Sequence, residues 1–375
     1  MENQSATATE EHRFPCHTCG ADLRFDPDSR MLVCDHCGAR EEIESGHAPR
    51  PRELDFHMAV SGGLSSHGDL LEADQTEEIR TSTCPNCGAV LQFDDTVHAT
   101  ECPYCATPVV TDTGRRRQIK PQGVLPFAVP EEAAQAALKH WLGSLWFAPN
   151  ALKKYARKGR RLNGVYMPYW TFDARTQSSY SGERGTDYHE SVMVNGQRQT
   201  RRRTRWRHVT GQVKRFFDDV LVVASTALPI QYVRGLAPWD LSGLEPYLPD
   251  YLAGYTSEAY TFTLEEGFKD AQTQMAQIIT RDIKFDIGGD RQRIHNVDTR
   301  YSDVTYKHIL LPVWFAAYKF RGKTYRFVIN GRTGQVQGER PYSAWKIAIA
   351  VILALIAAGI VGYFYAMNQQ GYGGY

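Results

Sequence analysis

Cys16-His17-Thr18-Cys19-Gly20, with Cys34-Asp35-His36-Cys37-Gly38 behind it, recurs as Cys84-Pro85-Asn86-Cys87-Gly88 and Cys102-Pro103-Tyr104-Cys105-Ala106. All eight cysteines fall in these two blocks, each offset from its counterpart by 68 residues, and fourteen residues separate the two pairs within a block. The neighbours repeat too: Gly20-Ala21-x-Leu23-x-Phe25-Asp26 matches Gly88-Ala89-x-Leu91-x-Phe93-Asp94. This is one module used twice. Cys-x-x-Cys in a tight turn brings two thiolates within reach of one ion, and the glycine after it (Gly20, Gly38, Gly88) supplies the positive φ of such a turn. Two such turns joined by a hairpin make a tetrahedral four-cysteine zinc site. The ligand sets are Cys16, Cys19, Cys34, Cys37 and Cys84, Cys87, Cys102, Cys105. Two structural Zn2+ ions are therefore expected, with no coordination position open for a substrate. Redox pairs and disulfides are the alternatives, and the paired spacing opposes a lone thioredoxin-like motif. His17 and His36 read as exposed turn residues.

The 375-residue chain carries a formal net charge of +1, and that balance hides a split. Residues 1–114 hold seven arginines, no lysine and twenty-one acids, a net −14, whereas residues 115–340 carry a net +14. The second block, 81–112, contains no Lys or Arg but includes Asp94, Asp95, Glu101 and Asp112. Phosphate binding needs cationic contacts, so the ribbons suit protein contact, or docking onto the basic body, better than nucleic acid.

From Ile347 to Met367 there are 21 residues without a charge. At 1.5 Å per residue this helix spans about 31 Å, the thickness of a bilayer core. Tyr342 and Trp345 at one end, and Tyr363, Phe364 and Tyr365 at the other, form an aromatic belt. Arg340 and Lys346 flank only the N-terminal side, which by the positive-inside rule keeps the rest of the chain in the cytoplasm. No secretory signal precedes the first block.

The predicted organisation is multidomain. Residues 1–12 are a disordered terminus, 13–45 the first zinc ribbon, 46–80 a mobile linker with one short helix near 69–80, and 81–112 the second ribbon. Residues 115–340 form a basic α+β body with mostly antiparallel strands, 345–367 the single transmembrane helix and 368–375 a short tail. In the body, Val129-Pro130-Glu131-Glu132 opens a helix with apolar positions Ala134, Ala137, Leu138, Trp141, Leu142 and Leu145. A strand follows at Val165–Phe172. Thr263-Leu264-Glu265-Glu266 is a capping box that opens a second helix, with Phe268, Ala271, Met275, Ile278 and Ile279 on one face. Its strand is Ile309–Ala316. Aligning Pro168-Tyr169-Trp170 with Pro312-Val313-Trp314 predicts an internal duplication. Alternating segments fill 178–194, 198–214, 219–224 and 318–338, with Asn195-Gly196 and Asn330-Gly331 as hairpin turns.

Within 198–214 runs an arginine series, Arg198, Arg201, Arg202, Arg203, Arg205 and Arg207, around Trp206. Alternation puts Arg201, Arg203, Arg205 and Arg207 on one strand face. A charged edge strand resists aggregation; the same face suits anionic lipid or an acidic protein surface. An acidic head that folded back over it would mask it. Gly322-Lys323-Thr324 echoes the end of a phosphate-binding loop, but Ala317 stands where that motif needs glycine, so it reads as a hairpin turn. His189, His208, His295 and His308 show no catalytic pattern and receive no role.

With the two Cys-x-x-Cys-Gly ribbons, the run Leu311-Pro312-Val313-Trp314, then Tyr325-Arg326-Phe327-Val328-Ile329-Asn330-Gly331-Arg332-Thr333-Gly334-Gln335-Val336, then Gly338-Glu339-Arg340-Pro341 before the apolar segment resembles bacterial membrane-anchored double zinc-ribbon proteins. These are of the transcription-factor-IIB type and often carry a primosomal-helicase-like label. No intact nucleotide-binding loop or helicase motif supports that label here. Ala106, where the other three turns have glycine, departs from the pattern. The resemblance implies a single-pass protein of the bacterial inner membrane, working beside SPFH-type and phage-shock-protein-A-like membrane-stress proteins. The expected function is a non-enzymatic, membrane-anchored adaptor that recruits protein partners. The alternative is a membrane-tethered nucleic-acid-binding protein using the arginine series.

Overall fold

The computed structural model describes residues 14–43, 51–61, 75–93, 99–105, 107–110, 114–149, 161–194, 197–320, 323–339 and 342–370. The N-terminal twelve residues, the Asn195-Gly196 turn, Gly322 and Ala106 lie outside them.

The first cysteine block is a three-stranded antiparallel sheet of β1 (Leu23–Asp26), β2 (Met31–Cys34) and β3 (Arg40–Glu41). Its hairpin turns tightly because Asp26 Oδ2 accepts from the Ser29 amide at 3.1 Å and hydroxyl at 2.6 Å, and Arg30 takes a positive φ of 57°. Alternation buries Leu23, Phe25, Leu32 and Cys34.

The stretch read as a linker is structured in part. Glu53 bonds Thr305 and Lys307, β4 (Leu54–Asp55) pairs with Tyr306 and Thr305, and α1 (Phe56–Ser61) follows. Asp55 caps that helix, accepting from the Met58 amide at 2.7 Å, and the Phe56 ring packs 4.5 Å from Phe268. An apolar residue at the helix start and a carboxylate opposite a buried lysine tie the segment to the body. Near its end, a strand replaces the expected helix: β5 (Thr76–Thr83) pairs with β6 (Val90–Phe93) on one side and β9 (Gly114–Ile119) on the other. Thr and Ile in the run Thr-Glu-Glu-Ile-Arg-Thr-Ser-Thr favour the strand. The second module thus extends beyond 81–112 and takes in the first residues assigned to the body. A separate hairpin, β7 (Ala99–Glu101) with β8 (Pro108–Val110), carries its last two cysteines.

The body centres on three long strands. After β10 (Gly123–Val124) and α2 (Glu131–Ser144) come β11 (Asn163–Val194) and β12 (Gln197–Val223), paired without interruption except at one bulge. A short helix α3 (Ile230–Arg234), β13 (Glu245–Pro246) and β14 (Thr256–Ser257) precede α4 (Leu264–Ile287), and then β15 (Arg291–Phe320) returns along β11. The hairpin of β16 (Lys323–Asn330) and β17 (Val336–Gly338) completes a nine-stranded sheet. It is antiparallel apart from the β10–β15 and β11–β14 pairs. Phe320 pairs directly with Lys323, as a plain hairpin requires.

The expected capping box is present: Thr263 Oγ1 accepts from the Glu266 amide, and Glu266 accepts from the Thr263 amide at 2.9 Å. The helix buries Leu264, Phe268, Ala271, Met275, Ile279, Ile283 and Ile287 on the sheet. Its 24 residues rise about 36 Å, which matches the stretch of β11 from Trp170 to Gly182. Arg184 Nε donates to the carbonyl of Ile287 where the helix ends, and β15 starts opposite Gly185. Beyond that point β11 and β12 continue as a two-stranded tip, with no helix over it among the described residues. Pro168-Tyr169-Trp170 and Pro312-Val313-Trp314 lie on adjacent strands, with Met167 opposite Leu311 at their centre.

The C-terminal helix α5 (Ala344–Gln370) contains a stretch, Trp345–Tyr365, of mean hydropathy 2.7 in which no residue is buried. It is long and apolar enough to cross a membrane.

Candidate metal centres and charged surfaces

Each cysteine pair sits in the same backbone turn. The amides of Cys16, Cys34, Cys84 and Cys102 donate to the carbonyls five residues on, Ala21, Ala39, Ala89 and Thr107, at 2.7–2.9 Å. Gly20, Gly38 and Gly88 donate back to the first cysteine's carbonyl and have φ of 74°, 75° and 75°. A Cβ at any of the three would meet nothing within 4 Å. The left-handed backbone, not space, requires glycine there.

The eight cysteines are free, and their sulfurs form two groups, Cys16, Cys19, Cys34, Cys37 and Cys84, Cys87, Cys102, Cys105. In each group the four sulfurs lie within 4.8 Å of one another. Cys16–Cys37 and Cys19–Cys34 stand 3.6 and 3.5 Å apart, and Cys84–Cys105 and Cys87–Cys102 3.5 and 3.6 Å. A tetrahedron with metal–sulfur bonds of about 2.3 Å has edges of about 3.8 Å, and a disulfide needs about 2.05 Å. The spacing fits a shared ion and not an S–S bond. Hydrogen bonding with Cys102 lowers Cys87 to about 5, and the same contact raises Cys102. Four packed sulfurs cannot all ionise without a cation among them. These residues would hold a metal as a folding element, with every tetrahedral position filled by sulfur.

His17 and His36 are exposed, and His17 Nε2 lies 3.5 Å from Glu41. Neither belongs to the four-sulfur groups.

Both modules dock on one loop of the body, residues 245–259. Phe25 of the first donates its amide to the Ala253 carbonyl at 3.0 Å, its ring meets Tyr251 edge-on at 5.4 Å, and Arg30 pairs with Glu245 at 3.0 Å. On the second module, Leu91 bridges Glu258, and the Ala259 amide donates to Val90 at 3.0 Å. Tyr104, between two metal-site cysteines, donates its hydroxyl to Glu258 at 2.5 Å and packs its ring on Phe315 at 4.5 Å. Ser225 donates to the other oxygen of Glu258, also at 2.5 Å. Burial raises Glu258 to about 7. Sequence reasoning missed this contact, since a lone glutamate in a polar loop carries no signal of its own. It also missed an ionic group around a buried lysine of the sheet, where Lys307 Nζ sits 2.8 Å from Asp219 and 3.2 Å from Glu53.

The arginine series lies far from the acidic modules. Tyr169 belongs to the apolar cluster under the second module, and Tyr188 pairs with Arg203. They are nineteen residues apart on β11, about 60 Å at 3.3 Å per residue. The described residues of the head therefore dock at the base of the sheet and not over the arginine face, contrary to the fold-back expectation. Register does place Arg201, Arg203, Arg205 and Arg207 on one face, opposite Glu190, Tyr188, Thr186 and Arg184. Arg203 pairs with Glu190 at 2.7 Å, and Arg205 lies 5.4 Å from the Tyr188 ring centre. On the other face Asp187 receives both Arg202 and Arg291, and Arg293 covers Trp206 at 3.9 Å.

His189 stands on the tip, His208 lies opposite Glu183 below it, and His295 lies 3.8 Å from that glutamate. His308 is buried, its Nδ1 2.9 Å from the Ile119 carbonyl, and burial lowers it to about 4.

The whole chain can be set beside known proteins. A curated relative spans almost all of it. This is the uncharacterized protein YdjG of Bacillus subtilis (strain 168), 25% identical over 338 residues, which cover 89% of this chain and 92% of that one. No family model matches, and no solved structure matches.

Proposed function

We propose that the protein is a membrane-anchored zinc-ribbon adaptor with no catalytic role. It would recruit protein partners to the cytoplasmic face of a bacterial inner membrane. The observation that carries this reading is the closed geometry of both four-sulfur groups, seated on one loop of a body that ends in an exposed apolar helix. A tetrahedral ion held by four thiolates has no site for substrate or water, so its contribution is to folding. Zinc is the metal that such four-cysteine ribbons take. Tail anchoring, membrane-stress assemblies and SPFH-type or phage-shock-protein-A-like partners follow from the family resemblance. So does the transcription-factor-IIB-type kinship of the ribbons. The short likeness around Pro168 and Pro312 is the trace of a duplicated helix-plus-strand unit.

Affinity purification of the detergent-solubilised full chain, with and without nuclease, tests the reading. Protein partners that survive nuclease support it. Recovery of nucleic acid alone, lost when Arg201, Arg203, Arg205 and Arg207 are changed to Ser, would replace it with a tethered nucleic-acid-binding function.

A further inference from the structure

The turn that ends α2 presents two large aromatics to solvent. Trp146 is 80% exposed and Phe147 38% exposed. Such side chains in a soluble body normally find cover, and an exposed tryptophan on a short turn calls for an apolar neighbour with a wet rim.

That turn is fastened to the start of the apolar helix. The Ser343 amide donates to the Phe147 carbonyl at 2.8 Å. Lys346 Nζ donates to the carbonyls of Trp146 at 3.2 Å and Ala148 at 2.8 Å. The turn is also closed on itself, Ala148 N to Leu145 O at 3.2 Å, and α2 behind it is packed through Ala134, Leu138 and Leu142. Its height relative to the first turn of α5 is thereby set. Tyr342 and Trp345, the residues expected at the bilayer boundary, are 66% and 75% exposed beside it. Lys346 satisfies two carbonyls that would otherwise lose water near lipid, where unpaired backbone groups are costly.

We propose that Trp146 and Phe147 form a second membrane contact, inserted at the headgroup level of the same leaflet that α5 enters. The occupant of this aromatic patch is the lipid interface. Two attachment points, one spanning and one interfacial, stop the body from swivelling about α5. The proposal rests on α5 crossing a membrane.

The test uses the full chain in phosphatidylcholine–phosphatidylglycerol vesicles containing a lipid brominated near the headgroup end of its acyl chains. Bromine quenches tryptophan fluorescence on contact. Trp146→Phe and Trp345→Phe should each remove about half of the quenchable signal, and the double variant nearly all of it. Lys346→Met should reduce the Trp146 share at least twofold while the Trp345 share persists. If Trp345→Phe removes quenching and Trp146→Phe leaves it unchanged, the turn stands in water and the proposal is overturned with the span intact. If neither variant alters quenching, α5 does not lie in the bilayer, and the membrane reading fails first. Phenylalanine at an exposed position preserves the fold, so each outcome reports location.

Discussion

Glu258 and His308 are both buried, and they bias stability in opposite directions with pH. Glu258 is raised to about 7 in the fold from about 4.3 when unfolded. The folded state therefore holds a proton that the unfolded state has released, and stability falls as pH rises from about 4.3 to about 7. Glu258→Gln keeps bonds to Tyr104 and Ser225 without the charge. Hydrogen exchange at the Val90–Ala259 contact should be slower in this variant than in the parent above pH 7; faster exchange would show that the ionised carboxylate is what the site needs. His308 is lowered to about 4 by burial, against about 6.5 unfolded. The unfolded state then binds the extra proton, and stability is lost as pH falls through that window, by up to about 3 kcal/mol. His308→Gln should flatten the pH dependence of exchange at residues 305–311, where unchanged dependence would assign it to another group.

Among elements, the ribbons and the arginine tip behave differently because one is packed and the other is not. Cys34→Ser should cost one of two metals, measured by elemental analysis, and unfold the first module, since metal binding there is folding free energy. The second module should keep its ion, because it meets the body through Leu91, Tyr104 and Glu258 and not through the first module. Loss of both metals would show that the 245–259 loop transmits the damage. Phe25→Ala should weaken docking by about 3–5 kcal/mol, the usual cost of emptying a buried aromatic site, seen as faster exchange at Ala253. Conversely, Arg201, Arg203, Arg205 and Arg207 changed together to Ser should leave the melting temperature within about 2 °C, because surface changes away from packed groups cost little. Binding to anionic vesicles should fall, and a large drop in stability instead would show that the tip is held by its ion pairs.

For the whole molecule, the position of the acidic head changes what a truncation does. Had the head covered the arginine face, removing residues 1–114 would strengthen binding to anionic vesicles. With the head docked at the base, the same deletion uncovers Phe315 and Tyr251, both buried now, and removes the strand paired with residues 115–119. The truncated chain should aggregate in detergent, as judged by size-exclusion chromatography. A soluble monomer of unchanged melting temperature would show that the head is dispensable to the body.

What the amino-acid sequence by itself determined is whatever depends on near neighbours. Cysteine spacing and the glycines after each pair specify the four turns, since φ and thiol reach are local properties. Thr263 and Glu266 specify the start of α4 in the same way, and an unbroken apolar run specifies α5. Alternation specifies the faces of the long strands, and so the grouping of Arg201, Arg203, Arg205 and Arg207. Only the tertiary structure decided where these parts meet. Residues 51–61 look like linker until Glu53 finds Lys307 and Phe56 finds Phe268. Gly114–Ile119 looks like the start of the body until β5 claims it. The loop at 245–259 has no pattern that marks it as the seat of both ribbons, and Trp146 is an ordinary turn residue until Lys346, two hundred residues on, binds its carbonyl. Such contacts depend on shape and charge matched across long separations, and they leave no periodicity in the chain. The same holds for the placement of the acidic head: net charges of −14 and +14 suggest attraction between the halves, but screening confines that attraction to about 8 Å. Apolar surface buried at Phe25, Leu91 and Tyr104 chose the base of the sheet over its charged tip.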